Sequence, residues 1–295
     1  MQQRKLTQIL NKTYNKKLYI FLLTLSSLLF PFYYGFIGVY PIDSFLIYDS
    51  GYKIINGYHP FKDYWSITGP ILDYMQYIYF KLFGINWLSY VLHAASMNLL
   101  ISLATFYFFL NLRIGLFFSF IYSLGVSILA YTSVGTPFMD HHAVIFSLIS
   151  VMLLFLSFEK NNKIYWVLVP IFLSFSFLSK QIPSAYLFFL FITFILIFLF
   201  IVSPKNYKFF LYLFIGGAIS LIIFTIFLLV NNIPFENFLI QYFYYPLEIG
   251  EERGLKTNLN FNNVLFQFKF IYISLMPLAY VLFKISKKNE GFEIK

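Results

Sequence analysis

The sequence has no cysteine and little charge. Of its 295 residues, 11% are charged and 60% are hydrophobic, and the mean hydropathy is +0.74. The lack of cysteine excludes a disulfide framework, a thiolate metal site and a cysteine nucleophile. Soluble domains have about 25% charged residues, and disordered chains need high charge and few aromatic residues. The composition therefore excludes both classes and predicts a membrane protein.

The net charge of +9 does not indicate a nucleic-acid partner. The 21 Lys and Arg residues stand in short clusters between long apolar runs, as in the loops of polytopic membrane proteins. The bilayer is thus the first partner that the sequence predicts, and no nucleic acid is expected.

Apolar runs of about 20 residues are long enough to cross a hydrocarbon core of roughly 30 Å as helices. Eight such runs predict an all-α polytopic fold, which we expect to form one membrane domain over 1–295 without a soluble C-terminal domain. The predicted spans are 18–37, 88–110, 114–132, 141–158, 164–180, 182–202, 209–230 and 264–283.

The basic residues predict the orientation of these spans. They concentrate in both terminal tails and in alternate loops, and cytoplasmic loops carry the excess of Lys and Arg. Both termini are therefore predicted to be cytoplasmic. Most of the 12 acidic residues then fall on the extracytoplasmic side, where we expect the chemistry.

The first extracytoplasmic loop is predicted to contain two amphipathic helices, over 43–56 and 70–83, that lie at the membrane surface. In the second helix, Asp73 and Gln76 lie opposite an apolar face. The alternative is that 67–83 spans the membrane, which would bury Asp73 and reverse every later loop.

The cluster Asp140-His141-His142 precedes the fourth predicted span. A carboxylate and two imidazoles at a helix N-terminus suit a divalent metal, acid–base chemistry or an anionic group. The alternative is an ordinary helix cap with Asp140 as the N-cap residue.

Three other positions carry open alternatives. Lys180, predicted at the extracytoplasmic face, either meets an anion such as a lipid phosphate or extends its ammonium to water. Glu251 lies in a loop whose carboxylates and aromatic residues suit either a sugar or head-group site or an interfacial belt. For His93 and Asn98, within the second span, we expect hydrogen bonds to neighbouring helices.

Five short elements recur in an order that resembles a known family. They are Tyr40-Pro41-Ile42-Asp43 after the first span, Gly57 followed by Pro60-Phe61-Lys62-Asp63, Thr68-Gly69-Pro70, Asp140-His141-His142 and Ser179-Lys180-Gln181. Together, over residues 18–255, they resemble the GT-C fold glycosyltransferases, in particular the bacterial dolichyl-phosphate-mannose-protein mannosyltransferase-like and lipid A aminoarabinose transferase-like group.

The sequence departs from this family pattern in three ways. Ser44 stands where a second acidic residue often follows the first, which weakens a two-carboxylate metal site. Thr68-Gly69 replaces the common Lys-Pro, which leaves Lys62 or Lys180 to bind phosphate. The soluble C-terminal domain of many relatives is absent.

The resemblance implies transfer of a sugar from a polyprenyl-phosphate-linked donor to an extracytoplasmic glycan, lipid or protein, in a bacterial inner membrane. It implies Asp43 as general base, with Asp140 also catalytic or, with His141, a ligand of a divalent cation such as Mg²⁺ or Mn²⁺. The expected substrate-binding residues are Lys62, Asp63, Lys180, His142 and Glu251. The alternatives are a transporter or flippase of a lipid-linked saccharide, or a non-enzymatic membrane scaffold.

Overall fold

The computed structural model describes residues 2–38, 45–131, 135–198, 208–256 and 260–287. Of the described residues, 84% are helical, and they contain no strand beyond an isolated bridge between Pro60 and Tyr64. This confirms the all-α prediction.

The chain divides into two compact units, Met1–Tyr245 and Pro246–Lys295, and the expectation of a single domain stays a prediction. The first unit contains α1 (Gln2–Ile37), α2 (Leu46–Ile55), α3 (Pro70–Phe83), α4 (Trp87–Asn111), α5 (Leu116–Leu129), α6 (Met139–Lys160), α7 (Lys163–Phe177), α8 (Gln181–Ile197), α9 (Lys208–Val230), α10 (Phe235–Leu239) and a π-helical turn (Ile240–Tyr244). The last helices are α11 (Tyr245–Lys256), α12 (Phe261–Gln267) and α13 (Lys269–Lys287).

Four helices in the described part of the chain are long and apolar enough to cross a membrane. They are Asn15–Ile37, Trp87–Asn111, Met139–Lys160 and Lys208–Val230. The apolar helices α5, α7 and α8 have 14, 15 and 17 residues, which at 1.5 Å per residue is less than a full hydrocarbon core. The chain is thus an all-α membrane protein, and the count of eight spans stays a prediction.

The ends of the helices alternate as predicted. The end at which α1, α5 and α7 finish and α4, α6 and α8 begin is called the site end here. The Trp87 indole donates a hydrogen bond to the Gly35 carbonyl (2.7 Å), which joins α4 to α1. Tyr131, just after α5, hydrogen-bonds His142 of α6 (2.6 Å). A Cβ on Gly35 would lie 2.7 Å from the Gly135 carbonyl oxygen, so the end of α1 meets the loop before α6 at this end.

The opposite end of the first unit carries basic residues. The Lys160 ammonium donates to the Asn111 carbonyl (2.8 Å), which joins the last turns of α6 and α4. Lys16 lies over the Tyr107 ring, and Lys163 lies over the Tyr212 ring. This charge distribution is the one that favours a cytoplasmic location for this end.

Helix α3 does not run from one end of the bundle to the other. Its 14 residues extend about 21 Å. At its start, the amides of Gly69 and Ile71 donate to the carbonyls of Ser179 and Leu178 at the site end (both 3.3 Å). After α3 the chain enters α4, which begins at the same end. The structure therefore disfavours the alternative in which 67–83 spans the membrane.

The polar face of α3 points into the protein, contrary to the expectation that it faces water. Asp73 and Gln76 are completely buried, whereas Ile78 and Leu82 are exposed. Helix α2 packs tightly on this face, since a Cβ on Gly51 would approach Gln76 Cγ to 2.8 Å. The physical reason is the solvent: a lipid-facing helix gains by presenting apolar side chains outward and pairing its polar groups inside.

Asn98 and His93 form the structural hydrogen bonds that the sequence predicted. The Asn98 amide donates to the carbonyls of Ser27 in α1 (3.0 Å) and Ser127 in α5 (2.8 Å). His93 bonds Gln76 of α3 (2.9 Å). These contacts bind α4 to α1, α3 and α5.

Cysteine labelling tests the orientation, because each introduced thiol is unique in a chain without cysteine. An impermeant maleimide added to intact cells should label Asn56→Cys, just after α2. Asn161→Cys, in the turn between α6 and α7, should react only after permeabilisation. Labelling of Asn56→Cys from the cytoplasmic side alone would contradict the predicted topology.

Candidate functional site

An ion pair between Asp140 and Lys180 marks the site end. The Lys180 ammonium lies 2.5 Å from Asp140 Oδ1, and the two side chains are 35% and 46% exposed. Such a partly exposed pair contributes little to stability. Its interest is that both charged groups are accessible to a ligand.

The structure corrects the helix-cap alternative for Asp140. Phe138, with extended backbone, is the N-cap residue of α6, and Asp140 lies within the first turn. Lys180 lies in the turn between α7 and α8: its amide donates to the Ser176 carbonyl of α7, and the backbone at Ile182 is extended, so the regular part of α8 begins only after that residue. The ion pair thus joins this turn to the N-terminus of α6, where unpaired amides and the helix dipole favour an anion.

Three segments converge beside this pair. The side-chain amide of Gln181 donates to the Tyr242 carbonyl (2.8 Å) and to the Ile67 carbonyl (3.3 Å). The Ser66 amide donates to Gln241 Oε1 (2.9 Å), and the Gln241 side chain donates to the Phe61 carbonyl (3.2 Å). The loop before α3, the turn between α7 and α8, and the π-helical turn are therefore held as one assembly.

Gly69 is required for this convergence. A Cβ at position 69 would lie 1.6 Å from the Leu178 carbonyl oxygen, far inside van der Waals contact. The Thr68-Gly69-Pro70 element departs from the family pattern in sequence. In the structure it allows the backbone to pack closely against Leu178 and Ser179.

Asp73 forms a second charged cluster, which sequence reasoning did not select. The Tyr64 hydroxyl donates to its Oδ2 (3.3 Å), and Lys53 lies over the Tyr64 ring at 4.8 Å while pairing with Asp49 at 2.7 Å. Asp73 Oδ1 is buried without a hydrogen-bond partner among the described residues. The sequence feature that could have identified Asp73 is its position as an acidic residue in a helix that is otherwise rich in apolar and aromatic residues.

Burial controls protonation in this cluster. It raises the pKa of Asp73 from 3.8 to about 8, and hydrogen bonds from Tyr64 and Ser50 oppose this only in part. Burial, reinforced by the charge of Asp73, also raises the pKa of Tyr64. Asp73 is therefore largely a neutral acid at pH 7.

His142 does not face the exterior, contrary to the substrate-binding prediction. It is completely buried, with Nδ1 2.6 Å from the Tyr131 hydroxyl and Nε2 3.0 Å from His93 Nε2. His93 Nδ1 in turn lies 2.9 Å from Gln76 Oε1. A self-consistent assignment has Tyr131 donating to His142, His142 to His93 and His93 to Gln76, with every group neutral. The chain of four ties α3, α4 and α6 together.

The described donors near Asp140 do not fit a divalent cation. No group of three or more His, Asp or Glu side chains suited to a metal occurs in the described ranges. Asp140 already holds an ammonium, and His141 Nδ1 is buried, with the ring 4.9 Å from that of Tyr131. Mg²⁺ and Mn²⁺ prefer about six oxygen-rich ligands, so the described residues at Asp140 offer too few, and the divalent cation stays a prediction.

The remaining predicted site residues occupy different places. The Lys62 ammonium lies 3.4 Å from the Asn231 carbonyl at the end of α9, and Asp63 accepts from the His59 amide (2.8 Å) as part of a turn. Glu251, which was predicted to lie in a loop, is instead exposed on helix α11, in the second compact unit. Asp43 lies outside the described residues, so its meeting with Asp140 stays a prediction.

An apolar cavity of about 550 Å³ opens between α7, α8, α9 and α10. Leu178 and Ser184, which flank Lys180 in sequence, are among its lining residues. A smaller cavity of about 130 Å³ shares Leu178 and Phe224 with it and extends to Pro70 of α3. Lys180 of the ion pair is thus flanked in sequence by residues that line an apolar cavity, and this cavity is large enough for a ligand.

Comparison with protein-family models, curated proteins and solved structures found no match. The GT-C resemblance therefore depends on the five sequence elements. Of these, the structure describes the four that follow residue 44, and it brings three of them, the Thr68, Asp140 and Ser179 elements, into one assembly.

The stability of the protein should depend on pH through Asp73. Between pH 3.8 and about 8, the native state holds a proton that the unfolded state has lost, so stability falls as pH rises through this window and levels off above it. The slope is at most about 1.4 kcal/mol per pH unit. Thermal unfolding in detergent between about pH 6 and pH 9 measures it.

Asp73→Asn stays neutral throughout and should flatten this pH dependence. Glu159→Gln is the matched control, because Glu159 is exposed and lies at the end of the bundle opposite the site end. This variant should keep the pH slope of the unmodified protein. An unchanged slope in Asp73→Asn would show that the buried carboxyl does not retain its proton.

Proposed function

We propose that the chain is a membrane glycosyltransferase that moves a sugar from a polyprenyl-phosphate-linked donor to an extracytoplasmic acceptor. The observation that carries this proposal is the Asp140–Lys180 pair, since it places an accessible ammonium at the N-terminus of α6. That arrangement suits a phosphate better than a neutral ligand.

Lys180 is the proposed phosphate-binding residue. An ammonium has three donors, and Asp140 accepts from one of them while holding the side chain at the site end. Charge on the leaving phosphate grows as the sugar departs, so a fixed cation stabilises the transition state more than the ground state. Asp140 is then a positioning residue for Lys180.

The apolar cavity supports a lipid-linked donor. Its wall includes Leu173 and Phe188 from the apolar helices and Phe238 from α10, and only Ser174, Ser184 and Ser220 supply side-chain oxygens among the lining residues. A hydrocarbon chain in this cavity would place its phosphate near the turn that carries Lys180. Lys62, in the loop before α3 and bonded to the Asn231 carbonyl at the end of α9, offers a second cation for the same face.

The chemical step follows from these assignments. The acceptor hydroxyl forms a bond to the anomeric carbon, and the bond from that carbon to the phosphate oxygen breaks. Its electron pair leaves with the polyprenyl phosphate, next to Lys180. The hydroxyl proton passes to the carboxylate of Asp43, which we retain as the general base from the family resemblance. Asp63 remains a proposed ligand of sugar hydroxyls.

A transporter or flippase would need polar groups along a path between the two faces. Among the described residues, Asp140, His142 and His93 lie near the site end, and Lys160 lies at the opposite end. Asn98, between them, is bonded to backbone carbonyls. This separation favours a transferase.

Lys180→Gln should weaken donor binding. Losing one charge-assisted hydrogen bond costs about 1.5–3 kcal/mol, or roughly 10- to 100-fold in affinity for a polyprenyl phosphate. Binding of undecaprenyl phosphate to the detergent-solubilised full chain measures the loss. Lys160→Gln, at the end opposite the site end, is the control and should bind undecaprenyl phosphate as the unmodified protein does. Equal affinity in the unmodified protein and both variants would show that Lys180 does not bind the phosphate.

Asp43→Asn should abolish most turnover while leaving donor binding intact. Loss of a general base costs about 10²- to 10⁴-fold in rate. The measurement is sugar transfer from a polyprenyl-phosphate donor in membranes, with correct insertion checked for each variant. Near-normal turnover of Asp43→Asn would show that Asp43 is not the general base and would leave Asp49 or Asp63 as the candidate.

A further inference from the structure

Helix α2 carries an exposed aromatic surface that the proposed donor site does not use. A cavity of about 690 Å³ is lined by Phe45, Leu46, Tyr48, Asp49, Tyr52 and Ile85. Phe45 and Tyr52 are 48% and 47% exposed. An open surface of this size with several aromatic side chains is typical of a binding site.

Two of the aromatic rings, those of Phe45 and Tyr48, are held in place by the residues behind them. Tyr48 contacts Phe80 of α3 at 4.8 Å and Tyr90 of α4 at 5.3 Å, both edge to face. Phe45 lies 5.8 Å from Trp87. Because these two rings are fixed by packing, binding of a ligand would not require them to be ordered.

One of the residues that line this cavity is charged. Asp49 is 54% exposed and pairs with Lys53, one helical turn on, at 2.7 Å. A carboxylate among aromatic side chains is costly against hydrocarbon, so this face suits an aqueous ligand better than a lipid chain. The ligand must offer both apolar faces for the rings and hydroxyl groups for the carboxylate.

We propose that the α2 surface formed by Phe45, Tyr48, Asp49 and Tyr52 binds the acceptor as a saccharide. A pyranose presents C–H groups, which pack on the negative face of an aromatic ring, and hydroxyls, which donate to a carboxylate. This inference rests on the proposed function. It also fits the sequence, because Phe45 follows the proposed base, Asp43, by two residues.

The test uses the detergent-solubilised full chain on an array of immobilised bacterial surface oligosaccharides. The unmodified protein should bind a subset of these glycans. Asp49→Asn and Tyr52→Ala should each weaken that binding about tenfold or more, the loss expected when a hydrogen bond to a charged group or a stacked ring is removed. Tyr58→Ala, a change at a 55% exposed tyrosine outside the cavity lining, should bind normally.

Photo-crosslinking in bacterial membranes separates a glycan site from an interfacial belt. A benzophenone amino acid in place of Tyr52 should yield adducts that contain saccharide, and Asp49→Asn should reduce them. Adducts of phospholipid alone, no adduct, or array binding that is equal in all variants would overturn the proposal. Undecaprenyl phosphate binding that still depends on Lys180 would then show that the donor site survives without it.

Discussion

Polar groups surrounded by lipid must find their partners within the protein, and the arrangement of the first unit follows from this constraint. Asn98 joins three helices through two backbone carbonyls. The chain from Tyr131 through His142 and His93 to Gln76 joins α3 to the bundle. The same constraint explains why α3 directs its polar residues inward and its apolar residues outward.

Close packing at the site end follows from these bonds. With α3 fixed against α4, its N-terminal turn reaches the turn between α7 and α8, and only a glycine at position 69 allows the two backbones to meet. Gln181 and Gln241 then attach the loop before α3 to the π-helical turn. Four parts of the chain that are distant in sequence thereby surround one ion pair.

This arrangement separates three kinds of environment within a small region. Asp73 is buried and largely neutral, Asp140 is partly exposed and paired with Lys180, and Asp49 is exposed beside aromatic rings. A transferase of the proposed kind needs such differences, because phosphate, hydrocarbon and sugar hydroxyls demand different surroundings. Each carboxylate obtains its character from burial and neighbours rather than from its residue type.

The sequence by itself determined that this is an all-α membrane protein, where most of its long helices lie and which of their ends are basic. It did not predict α10 and α11, which lie in a segment expected to be a loop, or the break between α12 and α13 within the predicted span 264–283. Hydrophobic run length and the position of Lys and Arg are local properties, so they can be read from the order of residues. Helix α3, for example, begins and ends at the predicted residues, Pro70 and Phe83. Only the tertiary structure decided that Lys180 pairs with Asp140, 40 residues earlier.

The tertiary structure also decided that His142 is internal and that Asp73 is buried. Sequence periodicity identifies the two faces of a helix but not the solvent that each face meets, and in a membrane protein that solvent is lipid or protein as often as water. Which side chains become buried, paired or accessible depends on contacts between helices far apart in sequence, and these contacts exist only once the bundle has formed.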